Sequence, residues 1–282
     1  MIRIFIAGAC LFTALAANAA DTNTLEQLLT DSRKAIQEKK LQEALAFLAR
    51  AIEKDPQNPQ SVFLRGVVRE NQGRWSAAIA DYTRAIELSP GSPSPWQQRG
   101  SVYFKAGQFT NSVADFDRYL QLVPSRAAEH WQRGIACYYA GEFAKGQKQF
   151  ELHQTVNPND VENAVWHYLC VARQQGADKA KAGLLPIEGD RRVPLMEIYH
   201  LFQGRGTEAQ IFAAVKKGSP SIEEENTRLF YAHLYLALYA EAAGDKKKTI
   251  QHLQQAVTKA PADNYMSDVA RVHLQLVSRQ KG

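Results

Sequence analysis

Cysteine and methionine each occur only three times in 282 residues. Cys10 falls in the opening apolar stretch, which leaves Cys137 and Cys170 for the rest of the chain. Two thiols are too few for the disulfide framework of a small secreted domain or for a thiolate zinc site. Seven histidines are present, yet there is no His-Glu-x-x-His run and no two stand three or four residues apart, so no helix presents a metal-binding pair. A glycine loop that would cradle phosphate and a nucleophile elbow are both lacking. The run Glu223-Glu224-Glu225 opens a helix, where negative charge is favoured, and Asp115 with Asp117 flanks Phe116. No catalytic residue, cofactor site or metal site is expected. The net charge of +5 is scattered. Lys216-Lys217 and Lys246-Lys247-Lys248 sit at a helix end and in a turn, which argues against a nucleic-acid surface.

The first twenty residues differ in character from the remainder of the chain. Met1-Ile2-Arg3 is a short basic start, Ile4 to Leu15 an apolar run too short to span a membrane, and Ala17-Asn18-Ala19 a small-residue cleavage pattern. Residues 1–20 read as a secretory signal peptide cut after Ala19 or Ala20, and the expected product is exported, periplasmic and soluble. Acylation of Cys10 is disfavoured because Ala7-Gly8-Ala9 lacks the usual leucine and few apolar residues precede it. Cys137 and Cys170 fall at near-equivalent points on neighbouring first helices, which typically run about 10 Å apart. That exceeds normal disulfide reach, so separately buried thiols are expected rather than a bond.

Residues 21–160 repeat. Gly66, Gly100 and Gly134 recur every 34 residues, as do Pro56, Pro90, Pro124 and Pro158. Each unit carries a second glycine (Gly73, Gly107, Gly141), an aromatic two positions on (Trp75, Phe109, Phe143) and another in the second helix (Tyr82, Phe116, Phe150). The units are 25–58, 59–92, 93–126 and 127–160. This period and order resemble the tetratricopeptide repeat, whose helical hairpins must stack to bury their apolar faces. The fold class expected is all-α, a right-handed solenoid of antiparallel helix pairs. The in-helix glycine predicts close approach of the second helix, and the later one a left-handed C-cap. Asn58-Pro59 and Ser92-Pro93 read as N-cap and first helical residue.

Arg65, Arg99 and Arg133 also recur. Asp81 and Asp115 should face the first two across their hairpins, whereas Arg133 faces Gln149 and is freer to meet a partner. Residues 161–229 loosen into a degenerate repeat and an irregular helical insert. A helix is predicted over 161–175, a short one from Asp178 to Leu185, and two more over 194–203 and 207–217. Ser221 with Glu224 predicts a capping box for a helix over 223–243. Residues 230–282 form a final repeat plus a C-terminal helix, 263–278, that caps the solenoid.

The stretch Phe230-Tyr231-Ala232-His233-Leu234-Tyr235-Leu236-Ala237-Leu238-Tyr239, with Gly244-Asp245 and Leu253-Gln254-Gln255-Ala256-Val257 after it, is similar to the NlpI family of periplasmic adaptor lipoproteins. Trp166-His167-Tyr168-Leu169 and Met196-Glu197-Ile198-Tyr199 resemble that family's middle region. The resemblance implies a homodimeric scaffold that brings envelope proteins together. The chain departs from it in having no convincing acylation motif.

First helices line the concave side of such a solenoid, and residues at i, i+4 and i+7 share one face. That face carries Phe63, Val67 and Glu70, then Gln97, Ser101 and Phe104, then Trp131, Ile135 and Tyr138, then Trp166, Cys170 and Arg173. The candidate contacts for a protein or peptide partner are Phe63, Gln97, Phe104, Trp131, Tyr138 and Trp166, with Arg133 and Arg173. Either this aromatic groove is open to a partner, or the insert folds back and fills it. Two other functions stay open: a homodimeric structural scaffold, and a small-ligand receptor or enzyme built around His167, Arg173, Arg191 and Arg192.

Overall fold

The 34-residue period becomes a stack of helical hairpins in the computed structural model, which describes residues 23–279. The proposed leader, including Cys10, lies outside the described residues. Four hairpins come first: α1 (Leu25–Gln37) with α2 (Leu41–Lys54), α3 (Pro59–Asn71) with α4 (Trp75–Leu88), α5 (Pro93–Lys105) with α6 (Phe109–Leu122), and α7 (Trp131–Tyr139) with α8 (Phe143–Gln154). The long α9 (Val161–Gln175) pairs with a six-residue α10 (Ala177–Ala182), and α11 (Leu195–Phe202) and α12 (Glu208–Lys216) make the insert. A last hairpin, α13 (Ile222–Ala242) with α14 (Lys246–Lys259), leads into α15 (Tyr265–Arg279). Among the described residues no helix is long and apolar enough to cross a membrane.

The repeated glycines sit where two helices of a hairpin touch. A Cβ placed on Gly134 would lie 2.6 Å from the ring of Phe150, and Gly66 and Gly100 meet Tyr82 and Phe116 in the same way. Only hydrogen fits between backbone and ring, which is why a costly helix-interior glycine recurs. Gly107, at φ +74°, takes the left-handed conformation that ends α5 and frees the chain to reverse.

Departures from the expected pattern have local causes. The first helix of the fourth unit begins at Trp131 instead of near residue 127, after a 3₁₀ turn over Pro124–Arg126. The two preceding units enter this helix through Asn58-Pro59 and Ser92-Pro93, but Arg126-Ala127 offers neither a capping side chain nor a proline. His130 caps the helix instead, its Nδ1 accepting from the Arg133 N–H. At α13 Ser221 accepts from the Glu224 N–H, half of the expected capping box, whereas Thr207 and Gln210 form a fully reciprocal one at α12.

Leu28, Ala44, Leu48 and Leu64 belong to a small N-terminal core, while a much larger one runs from Phe104 to Val277. The C-terminal helix does more than cap. α15 packs on α14 and turns its inner face back onto α5, and it touches α7 through Trp131 and Tyr139. Tyr265 stacks on Phe104 with ring centroids 5.4 Å apart and meets Trp131 edge-on at 5.1 Å. The turn before α15 also reaches the first hairpin, where Lys39 pairs with Asp263 at 2.9 Å.

Candidate partner-binding face

The aromatic part of the expected face is filled by the protein itself. Phe104 is wholly buried, and Tyr138 and Trp166 are 5% and 1% exposed. These three expected contacts cannot meet a partner in this conformation, because α15 and α13 lie over them. The Tyr138 hydroxyl donates to Glu241 of α13 at 3.1 Å, and Trp166 packs edge-on against Tyr138. Trp131 is half-buried against Tyr265. The groove is thus closed by the C-terminal helix. The insert helices α11 and α12 pack instead against α9 and α13.

Polar candidates are also occupied. Gln97 donates to Gln132 at 2.8 Å and its Oε1 accepts from His130 Nε2 at 2.6 Å, tying the third unit to the fourth. His130 is 7% exposed, and burial pushes its pKa down to about 4, so the neutral ring both caps α7 and donates to Gln97. Arg65 and Arg99 make the expected intra-hairpin pairs, with Asp81 and Asp115, each at 2.7 Å. Arg133 corrects the sequence reading. It does reach Gln149, at 3.0 Å, but it also pairs with Asp117 of the preceding unit and is not free for a partner. Register across hairpins, invisible within one repeat, supplied that carboxylate. Arg173 is exposed and lies over the ring of Phe143, 4.8 Å from its centroid.

What remains accessible is a channel of about 540 Å³ between α3, α5 and the inner side of α15, bordered by Glu70, Trp75, Gln98, Lys105 and Asp268. Half-buried Phe63 stands seven residues before Glu70, hence on the same side of α3, and packs against Tyr82. Lys105 sits between Glu70 at 2.9 Å and Asp268 at 3.6 Å. Burial would lower its pKa, but the two carboxylates outweigh that and hold the ammonium above its ordinary value. The sequence reading missed Trp75, Gln98 and Asp268 because it scored only one face of the first helices. The apolar width of the last helix, with Met266, Val269, Ala270, Val272 and Val277 all buried, was the available signal that it faces more than solvent.

The alternative cluster of His167, Arg173, Arg191 and Arg192 does not form a common site. His167 faces Glu151 at 3.4 Å, Arg173 lies over Phe143, and Arg191 is exposed. Arg192 instead joins Asp160 and Asp190, at 2.7 and 2.6 Å, and Glu162. Burial pushes Glu162 up to about 7 in spite of Arg192 and the Tyr235 hydroxyl that donates to it.

Comparison with known proteins agrees with this architecture. Residues 33–93 and 231–263 each match a tetratricopeptide-repeat family model. A tetratricopeptide repeat protein from Parabacteroides merdae ATCC 43184 is similar over 90% of this chain and 98% of its own, with 18% identity and a TM-score of 0.58. A structure of MamA from Desulfovibrio magneticus RS-1, residue 41 to its end, is similar over 56% of this chain and 89% of its own, with 16% identity and a TM-score of 0.51. Another MamA structure covers 64% of this chain and 92% of its own at 14% identity and a TM-score of 0.52. No curated protein matches the chain. At these identities the likeness is one of fold.

Proposed function

We propose that this solenoid of tetratricopeptide-type repeats is a non-catalytic adaptor that holds an extended segment of a partner protein in the channel between its second and third hairpins and the last helix. Stacked repeats build concave surfaces suited to such segments. The observation that carries the reading is the division of that surface: α15 occupies its C-terminal half, whereas the N-terminal channel keeps aromatic side chains beside paired charges at its walls. Trp75 and Phe63 offer contact area at low entropic cost, and Glu70, Lys105 and Asp268 offer a polar register for backbone or side-chain groups. The basic, apolar and small-residue order of residues 1–20 supports export, which makes envelope proteins the partners. The likeness of residues 230–239 to the periplasmic adaptor family supports the same assignment.

The reading is tested by placing a photoreactive residue at Phe63, at Gln98 and, as a control, at Ala144 on the second helix of the fourth hairpin. Positions 63 and 98 should capture one and the same protein in intact cells, and position 144 should not. Affinity for that protein, measured by calorimetry, should fall at least tenfold in a Phe63→Ala, Trp75→Ala variant. Capture at position 144 alone, or binding untouched by the double substitution, overturns the proposal.

A further inference from the structure

Beneath the turn that leads into α15 lies a second cavity, of about 330 Å³, walled by α7, α9, α13 and residues 263–266. It falls at the small end of ligand pockets, which run from about 300 to 1,000 Å³. Trp131, Tyr231 and Tyr265 supply aromatic surface around it. Three polar atoms of lining residues are buried and have no hydrogen-bond partner within the chain: Asn163 Oδ1, Trp166 Nε1 and the Tyr265 hydroxyl. Asn163 and Trp166 are 3% and 1% exposed, and they stand three residues apart on α9, hence on one side of it. The Asn163 amide is not free to turn, because its Nδ2 donates to the Phe150 carbonyl at 3.0 Å and to Gln154 at 3.3 Å, leaving Oδ1 as an acceptor. Buried donors and acceptors are costly to leave unmatched.

The charge at this place is unbalanced. Arg192 is shared by Asp160, Glu162 and Asp190, three carboxylates to one guanidinium. His153, 3.6 Å from Asp160, is the other basic group beside that carboxylate, and Asp263 at the rim is held by Lys39. An aromatic box with surplus carboxylate favours a cation on an apolar stem, through cation–π attraction as well as charge. The indole N–H and the Asn163 oxygen, one donor and one acceptor on the same side of a helix, match the carbonyl and N–H of an amide.

We infer that this cavity is a binding site for a single basic residue, a lysine or arginine side chain with its adjoining amide, taken either as a small free molecule or as part of a longer chain. The cavity shares the turn residues Asp263, Asn264 and Tyr265 with the N-terminal channel but has its own floor on α7, α9 and α13, and the inference does not rest on the adaptor reading.

The test follows the indole Nε1–H resonances of the ¹⁵N-labelled protein, with that of Trp166 identified by Trp166→Phe. The probes are Nα-acetyl-arginine methylamide, its norleucine counterpart and its glutamate counterpart. The arginine probe should shift the Trp166 resonance saturably, the norleucine probe should bind at least tenfold more weakly, and the glutamate probe should have no effect. Tyr265→Phe, which removes only a hydroxyl, should weaken the arginine probe several-fold with an unchanged melting temperature. Glu162→Gln should narrow the preference for arginine over norleucine. A glycine-serine peptide with one internal arginine separates the two sources. Binding at least as tight as the blocked residue assigns the site to a protein segment, and binding of the blocked residue alone assigns it to a small molecule. If no probe moves Trp166, the cavity holds water only and the inference is overturned. Equal binding of arginine and norleucine, or preference for glutamate, overturns it as well.

Discussion

The Tyr139 hydroxyl and His273 Nδ1 lie 2.7 Å apart, joining α7 in the fourth hairpin to the last helix across 134 residues of sequence. His273 is 2% exposed, and its Nε2 faces Glu241 of α13 at 3.5 Å. Burial lowers its pKa, so the ring is neutral, and the contact joins two uncharged groups that hold α15 in the groove. Tyr139→Phe removes the hydroxyl alone, and a double-mutant cycle with His273→Leu should give a coupling of about 1 kcal/mol, the usual net value of such a bond. Urea unfolding of the four proteins measures it.

Gly134→Ala forces a methyl group against the ring of Phe150, which is 1% exposed and has no room to yield. Overpacking of this kind should cost about 1–3 kcal/mol. Gly91→Ala makes the contrast, since a Cβ there meets nothing within 4 Å, and it should be neutral within about 0.5 kcal/mol. Denaturant midpoints compared at equal slope decide the matter.

His130 should make the fold sensitive to acid. Burial pushes its pKa down to about 4, against 6.5 in an unfolded chain. Between those values the unfolded chain holds a proton that the folded protein does not, so stability falls as the pH drops through the window, by about 3 kcal/mol at full protonation. Glu162 acts in the opposite sense. Burial pushes it up to about 7, and the folded carboxyl takes up a proton ahead of the unfolded one, which adds stability as the pH falls from 7 toward 4.5. His130→Asn keeps an oxygen able to cap α7 but cannot charge. It should lose less stability than the parent protein between pH 7.5 and pH 4.5 in urea titrations.

Cys137 and Cys170 are both unpaired and buried. Burial pushes the Cys137 thiol up to about 11 and Cys170 higher still, so neither forms a thiolate at neutral pH. An aromatic disulfide reagent should leave both untouched in the folded protein and label two thiols per chain, counted without the leader, in urea without reductant. A single fast-reacting thiol in the native state contradicts this environment.

Much of the architecture is legible because a repeat is a local object. Gly66, Gly100 and Gly134 announce their contacts with Tyr82, Phe116 and Phe150, since only a missing side chain explains a glycine in mid-helix at a fixed interval. The pairs Arg65–Asp81 and Arg99–Asp115 follow from the same hairpin geometry, sixteen residues apart in sequence. Arg133 breaks that logic because its carboxylate, Asp117, comes from the neighbouring hairpin. Stacking offset, and not spacing within a unit, sets that pair.

The candidate face divides along the same line. Spacing along α3, α5, α7 and α9 is enough to say which residues line one surface, because helical periodicity is a property of contiguous chain. Whether that surface is open depends on where a helix more than a hundred residues later comes to rest. Tyr265 could lie on Phe104 only once the superhelix had curved far enough to bring α15 back over α5, and such curvature sums small rotations at every hairpin. The identity of the wall was therefore written in periodic side chains. Its occupancy was settled by long-range packing, which no local pattern encodes.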